Sequence, residues 1–424
     1  MMNILNKYFG SKKNLIQKKM LFKELGKDIE IKKIFKSIAE FSNKSEIRYV
    51  GGCVRKILNN ETVDDIDLAT NINPQQVCEV LNKNHINFYK TGIEHGTITA
   101  EINGKNFEIT SIRKDISTDG RHAVVEFSDN WQEDSLRRDF TINSIYADLE
   151  GNLFDPFNGK QDLKDGKIIF IGEADKRIKE DYLRILRYIR FFLNYSNNDH
   201  DPQVKKIIKQ NINGIKKIST DRLLDELKKL VLSKSFLKIN DDEFCLEILL
   251  LIFPQLKNIR LFKYLNSYAS EYFSSKDFIF LLSLMIIDET DNSDYFLYKF
   301  NIPNEAKKRI KYIKEIFSKP LEKETFSQKN LWKIFYLKNK NYLDDIIEFQ
   351  IFRSKKLDNK LIKLKKFFSS QTQPVFPIKA RHLIEDYNLK EGKELGQKLK
   401  QIENIWIKNS FKISNKEIDK IINN

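Results

Sequence analysis

The sequence predicts an α+β chain, a small mixed α/β head followed by an all-helical remainder. Three observations carry this expectation. From Ile47 to about residue 165, short strand-like runs alternate with turn residues. Beyond Arg177 strand signals almost vanish, and long helical patterns run to the C-terminus. At 424 residues the chain is also far past the length at which a single core is usual, so several structural units are expected.

Taken in order, residues 1–28 read as a basic N-terminal arm. Ile31, Ile34, Phe35, Ile38 and Phe41 then recur at helical spacing, so the head opens with an amphipathic helix. Ile47–Val50 reads as a strand, Gly51-Gly52 as a turn leading into a helix at Val54, Ile66–Ala69 as a second strand and Pro74–Leu81 as helix. Thr97–Ile102 and Phe107–Ile112 flank Asn103-Gly104-Lys105-Asn106, a hairpin signal because Asn-Gly accepts positive φ. The head therefore spans 29–165. The helical part breaks near Asn197–Pro202, Pro254, Pro303, Pro320 and Pro374–Pro377, with no internal repeat.

Composition narrows the function. The longest apolar run, Phe278 to Ile287, is interrupted by Ser283 and falls short of the ~20 residues a bilayer span needs. Met1–Lys19 has no apolar core of the kind a secretory signal carries. Cys53, Cys78 and Cys245 are widely spaced and odd in number, which suits a reducing cytosol and argues against disulfides and zinc. A net charge of +15 points to a polyanionic partner, although scattered lysines also simply solvate a surface. The arginines say more. Only 15 of the 74 basic residues are arginine, yet eight of those lie between Arg113 and Arg190. A chain that otherwise writes Lys has kept Arg where a flat bidentate fork is useful.

Four constellations carry chemistry. Asp65-Ile66-Asp67, if on a strand, places both carboxylates on one face with Cβ atoms roughly 6–7 Å apart, able to straddle two metal ions held ~3.5–4 Å apart. An Asp-x-Asp alone occurs in many solvated loops; the preceding Gly51-Gly52 strengthens it, because a backbone without Cβ atoms at a helix start lets a triphosphate approach, with Arg55 as a clamp. Asp64 should face away and is not counted. Glu108, on the second hairpin strand, is the best third carboxylate; Glu101 and Asp115 are weaker. Arg137–Asn143 looks like the opening of a helix, with Arg138 at a phosphate and paired to Asp139. Glu180–Phe191 reads as one helix with Asp181 and Arg184 neighbours on a face that Arg187 and Arg190 continue. A salt-bridged amphipathic helix gives the same pattern.

Together these motifs resemble the class II tRNA nucleotidyltransferase and bacterial poly(A) polymerase family, within the polymerase-β-like nucleotidyltransferases. The resemblance runs through Tyr49–Arg55, Asp65–Thr70, Glu94-His95-Gly96-Thr97, Gly120-Arg121-His122-Ala123, Arg137–Asn143, Asp155-Pro156-Phe157 and Glu180–Phe191, with a weaker match through Pro374–Pro377 and Gly392–Trp406. It implies a nucleotidyltransferase head, a neck at 166–235 that selects the nucleotide, and a helical body and tail at 236–424 that bind tRNA. It also implies two Mg2+ ions on Asp65 and Asp67, nucleotide phosphates at Gly52 and Arg55, and Arg138 near the nucleotide. Base selection would fall on Asp181 and Arg184, supported by Arg187 and Arg190. The implied activity is cytoplasmic addition or repair of the 3′-terminal CCA of tRNA from CTP and ATP without a template. Lys56 departs from the family's usual acid, and Ala380-Arg381 from an expected Gly-x-Asp.

The same motifs also serve a poly(A) polymerase, or an enzyme adding only CC or only the final A, with discrimination in a loop such as Lys114–Val124. A non-catalytic tRNA-binding protein is the alternative from another class, disfavoured by the presence of Asp65, Asp67, Asp181 and Arg184. His200-Asp201 raises a fused phosphohydrolase, but with five histidines in the chain the pair reads better as a turn between neck helices.

Overall fold

Nine strands form among the described residues: β1 (Ile47–Val50), β2 (Asp67–Thr70), β3 (Asn87–Gly92), β4 (Thr97–Ile102), β5 (Lys105–Ser111), β6 (Arg113–Thr118), β7 (Ala123–Phe127), β8 (Tyr146–Ala147) and β9 (Leu153–Phe154). The computed structural model describes residues 18–118, 123–322 and 324–423, and the chain divides into two units, Met1–Ile252 and Phe253–Asn424. Seven strands make one sheet in the order β3-β4-β5-β2-β1-β8-β9, while β6 and β7 pair as a separate ribbon. The expected fold class is the observed one, a mixed head followed by helices.

The helix α1 (Ile29–Ala39) buries Ile31, Ile34, Phe35 and Ile38, the residues whose spacing predicts it, and Asp28 caps it by accepting from the amides of Glu30 and Ile31. Phe41 lies past the helix end and is exposed. Residues 1–17 of the basic arm lie outside the described residues; residues 18–25 are helical, and Phe22 is buried with its ring 5.8 Å from that of Tyr49.

β1 runs antiparallel to β2, and β2 runs parallel to β5, so a strand from early in the head lies beside one that follows it by some forty positions. Between β1 and β2 comes α2 (Gly52–Leu58), and after β2 comes α3 (Pro74–Lys83), opened by a reciprocal capping box between Asn73 and Gln76. The Asn-Gly hairpin forms where the sequence places it, with Asn103 at φ 53° and Gly104 at φ 77°. Ile102 pairs with Lys105, so the turn has two residues and β5 begins earlier than the apolar run does. The segment read as a loop around 114–124 is largely the β6–β7 ribbon. Its tip at 119–122, which includes Arg121 and His122, lies outside the described residues.

Two segments depart from the sequence reading. Arg137–Asn143 ends a helix rather than opening one: α4 (Trp131–Leu136) stops there, Phe140 is extended and bridges to Phe170, and only 141–143 make a short 3₁₀ turn. Phe140 is fully buried, its ring 4.7 Å from Phe170 and 5.4 Å from Phe191, and that burial holds the chain extended. After α5 (Gly159–Asp165), the stretch 180–191 is broken as well. α6 (Ala174–Glu180) stops, Asp181 is extended at φ −152°, and α7 (Leu183–Tyr195) starts anew. Within the same unit the chain continues through α8 (Pro202–Asn211), α9 (Thr220–Val231) and α10 (Glu243–Ile252).

Every regular element described in the second unit is helical. Phe278–Ile286 is apolar all round because nearly all of its residues are buried, and among the described residues no helix is long and apolar enough to cross a membrane. Leu331, Phe335, Leu343, Ile347 and Phe368 form one core there, and Leu383, Leu395, Ile402 and Ile418 another.

The break at Asp181 is pinned by close packing. A Cβ on Gly214 would stand 1.9 Å from Cε1 of the Tyr182 ring, so no side chain fits there. Gly214→Ala should therefore lower stability by about 1–3 kcal/mol through overpacking, seen as a reduced thermal midpoint. An unchanged midpoint would mean that Tyr182 is not held against Gly214.

Candidate active site

Asp67 is the first residue of β2, and parallel pairing sets it directly opposite Glu108 of β5. Residues paired in register point to the same face, so their carboxyl groups share one side of the sheet. Burial raises the Asp67 pKa, and the charge of Glu108 raises it further; Arg138 opposes the shift and Asp65 reinforces it. Asp65 itself is exposed and precedes the strand, because ladder pairing of this segment starts only at residue 67. Contrary to the expectation of a shared strand, a loop carries Asp65, and its charge still reaches Asp67. Asp64 turns away and pairs with Lys56 at 2.8 Å, which occupies the lysine found where the family usually has an acid.

Beside these acids the backbone is bare. Gly51 has φ 67°, a conformation that side chains rarely adopt, and it starts α2. A Cβ on Gly52 would lie 3.8 Å from Asp67 Oδ2, and one on Gly51 3.8 Å from Arg138 Nη1. Mutually repelling carboxylates next to a cradle that a Cβ would fill suit divalent cations with oxygen ligands.

Arg138 is fixed by a residue the sequence reading passed over. Asp134, with no exposed surface, accepts from Arg138 Nη2 at 3.0 Å, from Arg137 Nε at 2.7 Å and from the Tyr146 hydroxyl at 2.6 Å. Burial opposes its ionisation, but the charges of Arg138 and Arg137 and the Tyr146 bond outweigh it and hold the carboxyl well below the usual range. The expected Arg138–Asp139 pairing is not made. Asp139 faces the neck, accepting from Arg187 Nε at 2.7 Å and Asn143 Nδ2 at 2.8 Å. Its own burial is likewise outweighed, by Arg187 and Asn143, and its pKa stands at about 2. The spacing Asp134 to Arg138, one helical turn, was the available signal.

A cavity of about 410 Å3 joins these groups: Gly51, Gly52, Arg55, Asp67 and Arg138 line it from the head, and Asp181, Arg184, Arg187, Arg190, Phe191 and Arg222 from the neck. Arg55 is buried, donates to Asn143 Oδ1 and lies over the rings of Phe191 and Tyr195 at 4.8 and 5.2 Å. It therefore packs α2 onto α7 as well as lining the cavity. Asp181 and Arg184 are not side by side on one helix, since the chain breaks between α6 and α7. Asp181 Oδ2 accepts from Arg222 at 2.7 Å, whereas Arg184 donates to Glu180 and to the Arg177 carbonyl, each at 2.7 Å. Arg190 is held by the buried Glu226. Arg222 and Glu226 left no sequence signal because their partners lie 41 and 36 positions away.

His200 and Asp201 do not act as a pair. Asp201 caps α8, while His200 bonds Tyr188 and Asp242 at 3.0 and 2.9 Å and stacks 3.6 Å from Phe192. Cys245 completes this partly buried group, whose polar atoms already satisfy one another.

Two outcomes follow from the charges. Because burial, and after it the neighbouring acids, raise the Asp67 pKa, the metal-free fold carries the cost of its charge; Asp67→Asn should hold or raise the thermal midpoint without Mg2+ and remove most of the increase that Mg2+ gives the wild type. A wild-type midpoint indifferent to Mg2+ would sink this. Asp139 has a folded pKa below its unfolded value of ~3.9, so its stabilisation is present above that pH and is lost as pH falls toward about 2. Asp139→Asn should be less stable at neutral pH, with a flatter dependence between pH 4 and 2 in acid-unfolding curves.

The chain is similar to several known proteins. Residues 47–169 match the poly A polymerase head domain, and residues 200–260 match the probable RNA and SrmB-binding site of polymerase A. The mitochondrial CCA tRNA nucleotidyltransferase 1 of Homo sapiens is 35% identical over 396 residues, covering 90% of this chain and 88% of that protein. The CCA-adding enzyme of Staphylococcus saprophyticus is 29% identical over 369 residues, covering 84% and 88%. In fold, the chain is similar to the Bacillus stearothermophilus CCA-adding enzyme in complex with CTP, with a TM-score of 0.68 at 21% identity over 92% of this chain and 95% of that one. With similarity to a named relative running nearly end to end, the chain belongs to the family of class II tRNA nucleotidyltransferases and bacterial poly(A) polymerases.

Proposed function

We infer that this protein adds or repairs the 3′-terminal CCA of tRNA, taking CTP and ATP as substrates and using no nucleic-acid template. The observation that carries the reading is the single cavity that joins Asp67 to the neck residues Asp181 and Arg184. A nucleoside triphosphate lying along it would have its phosphates by the head and its base by the neck. The relatives named for CCA addition, matching nine-tenths of the chain, support the same activity.

In this reading Asp65 and Asp67 hold two Mg2+ ions, with Glu108 beside them. When bound, the ions lower the pKa of the tRNA 3′-hydroxyl that attacks the α-phosphorus and neutralise the leaving pyrophosphate. Gly52 leaves room for the phosphates, and Arg138, locked by Asp134, meets their charge. Arg55, Arg187 and Arg190 keep that side of the cavity positive. Asp181 accepts from the exocyclic amino group that cytosine and adenine share, and Arg184 donates to the neighbouring ring nitrogen. Guanine and uracil present the opposite pattern, and a buried mismatch of this kind can be rejected by ~10⁴. The Lys-rich helical body and tail hold the tRNA acceptor arm through its backbone shape, so binding should weaken with salt. Three free cysteines support a reducing compartment, and we place the enzyme in the cytoplasm.

The deciding experiment incubates the protein and Mg2+ with tRNA transcripts lacking CCA, supplies CTP and ATP separately and together, and sequences the 3′ ends. Growth that stops at CCA is expected, with Asp65→Ala or Asp67→Ala cutting the rate by about 10³-fold or more. Long A tails from ATP alone would make it a poly(A) polymerase. Addition of only CC or only A would imply a partner enzyme, and no addition would leave a tRNA-binding protein.

A further inference from the structure

We propose that Arg222 is a positioning residue for nucleobase selection, acting through Asp181. The proposal rests on the reading that Asp181 and Arg184 choose the base. It arises from how the two are held apart.

Asp181 sits in an extended break between two helices, where the backbone alone does little to fix the direction of a carboxylate. Two bonds do so. The Leu183 amide donates to Oδ1 at 3.2 Å, and Arg222 Nη2, from α9, donates to Oδ2 at 2.7 Å. Arg222 lines the same cavity, and its side chain is about a third exposed, 31%, against 18% for Asp181. A carboxylate oxygen has two acceptor directions, so each oxygen keeps one for a nucleotide after these bonds are made.

The charge arrangement explains why a third residue is needed. Asp181 and Arg184 are oppositely charged and three positions apart, and left to themselves they would close on each other and cancel the pattern that a base must meet. Each is instead engaged elsewhere: Arg184 Nη1 bonds Glu180 Oε2 and the Arg177 carbonyl, and Asp181 bonds Arg222. Glu180 and Arg222 thus form an outer pair of charges that keeps the inner pair separate. Tyr182, packed on Gly214, fixes the intervening backbone.

A carboxylate held this way faces the exocyclic amino group of cytosine and repels the carbonyl that uracil presents at the same position. Released from Arg222, it can turn away from that carbonyl or pair with Arg184, and either movement weakens the preference for CTP over UTP.

The test compares wild type, Asp181→Ala, Arg222→Met and Arg222→Lys in the full chain. Equilibrium binding of CTP and UTP is measured without tRNA, kcat/KM for each nucleotide with a tRNA lacking CCA, and thermal midpoints alongside. Arg222→Met should reduce the CTP/UTP preference by about tenfold or more. Arg222→Lys, which keeps one charged donor, should recover part of it, and Arg222→Met added to Asp181→Ala should change the preference no further. A merely structural role would lower binding of both nucleotides alike and leave their ratio intact, which would overturn the proposal, as would additive effects in the double variant. Should Arg222→Met not fold, Arg222→Lys decides: an unchanged ratio in that variant counts against the proposal. If Asp181→Ala keeps the full preference, the base-selection reading fails with it; if Asp181→Ala loses the preference and the Arg222 variants do not, only the role of Arg222 fails.

Discussion

The site depends on holding six guanidinium groups around one cavity without letting them push it apart. Arg55, Arg138, Arg184, Arg187, Arg190 and Arg222 line it against three aspartates, Asp67, Asp139 and Asp181. Two like charges 4 Å apart repel by about 4 kcal/mol at an effective dielectric of ~20, so the cluster needs compensation built into the fold. Each arginine has a fixed partner: Asp134 for Arg138, Asp139 for Arg187, Glu226 for Arg190, Glu180 for Arg184, Asp181 for Arg222 and the Asn143 amide for Arg55. Three of these guanidiniums also sit over one ring, Phe191, at 4.8, 5.5 and 4.2 Å for Arg55, Arg187 and Arg190. The negative face of the ring attracts cations and shields them from water.

This scheme also welds the head to the neck. Asn143 accepts from Arg55 of α2 and donates to Asp139, which in turn accepts from Arg187 of α7. The chain of bonds runs from the glycine turn beside the acids to the helix that carries the other arginines. Removing Arg187 leaves the buried Asp139 without its cation, and breaking a buried pair in this way typically costs about 3–5 kcal/mol. The residues that would read the nucleotide and those that would act on its phosphates are therefore held in one register.

On the other side the sheet does the opposite and forces like charges together. Parallel pairing of β2 with β5 leaves Asp67 facing Glu108, and burial together with that repulsion raises the pKa of Asp67. Strain of this kind persists because the sheet over-determines it, and a divalent cation would relieve it. The cavity is thus positive along one wall and negative at one end, a polarity that suits a triphosphate carrying metal ions.

Much of this protein was legible in the sequence wherever the controlling interaction is local. Periodicity marked α1, Asn103-Gly104 marked the hairpin, and Gly51-Gly52 followed by two aspartates marked the acid end, because turn chemistry and helical spacing act over a few residues. Glu108 was reached from its place on the second hairpin strand, and the family resemblance supplied the expected roles of Arg138, Asp181, Arg184, Arg187 and Arg190. What only the tertiary structure decided is who holds whom. Burial of Phe140 turned Arg137–Asn143 from a helix start into a helix end and sent Asp139 to Arg187. Close packing of Tyr182 on Gly214 broke the neck helix at Asp181, and Arg222 and Glu226 reached their partners across about forty positions. Ion pairing depends on distance in space, and residue types alone say which charges need a partner while leaving the fold to choose it.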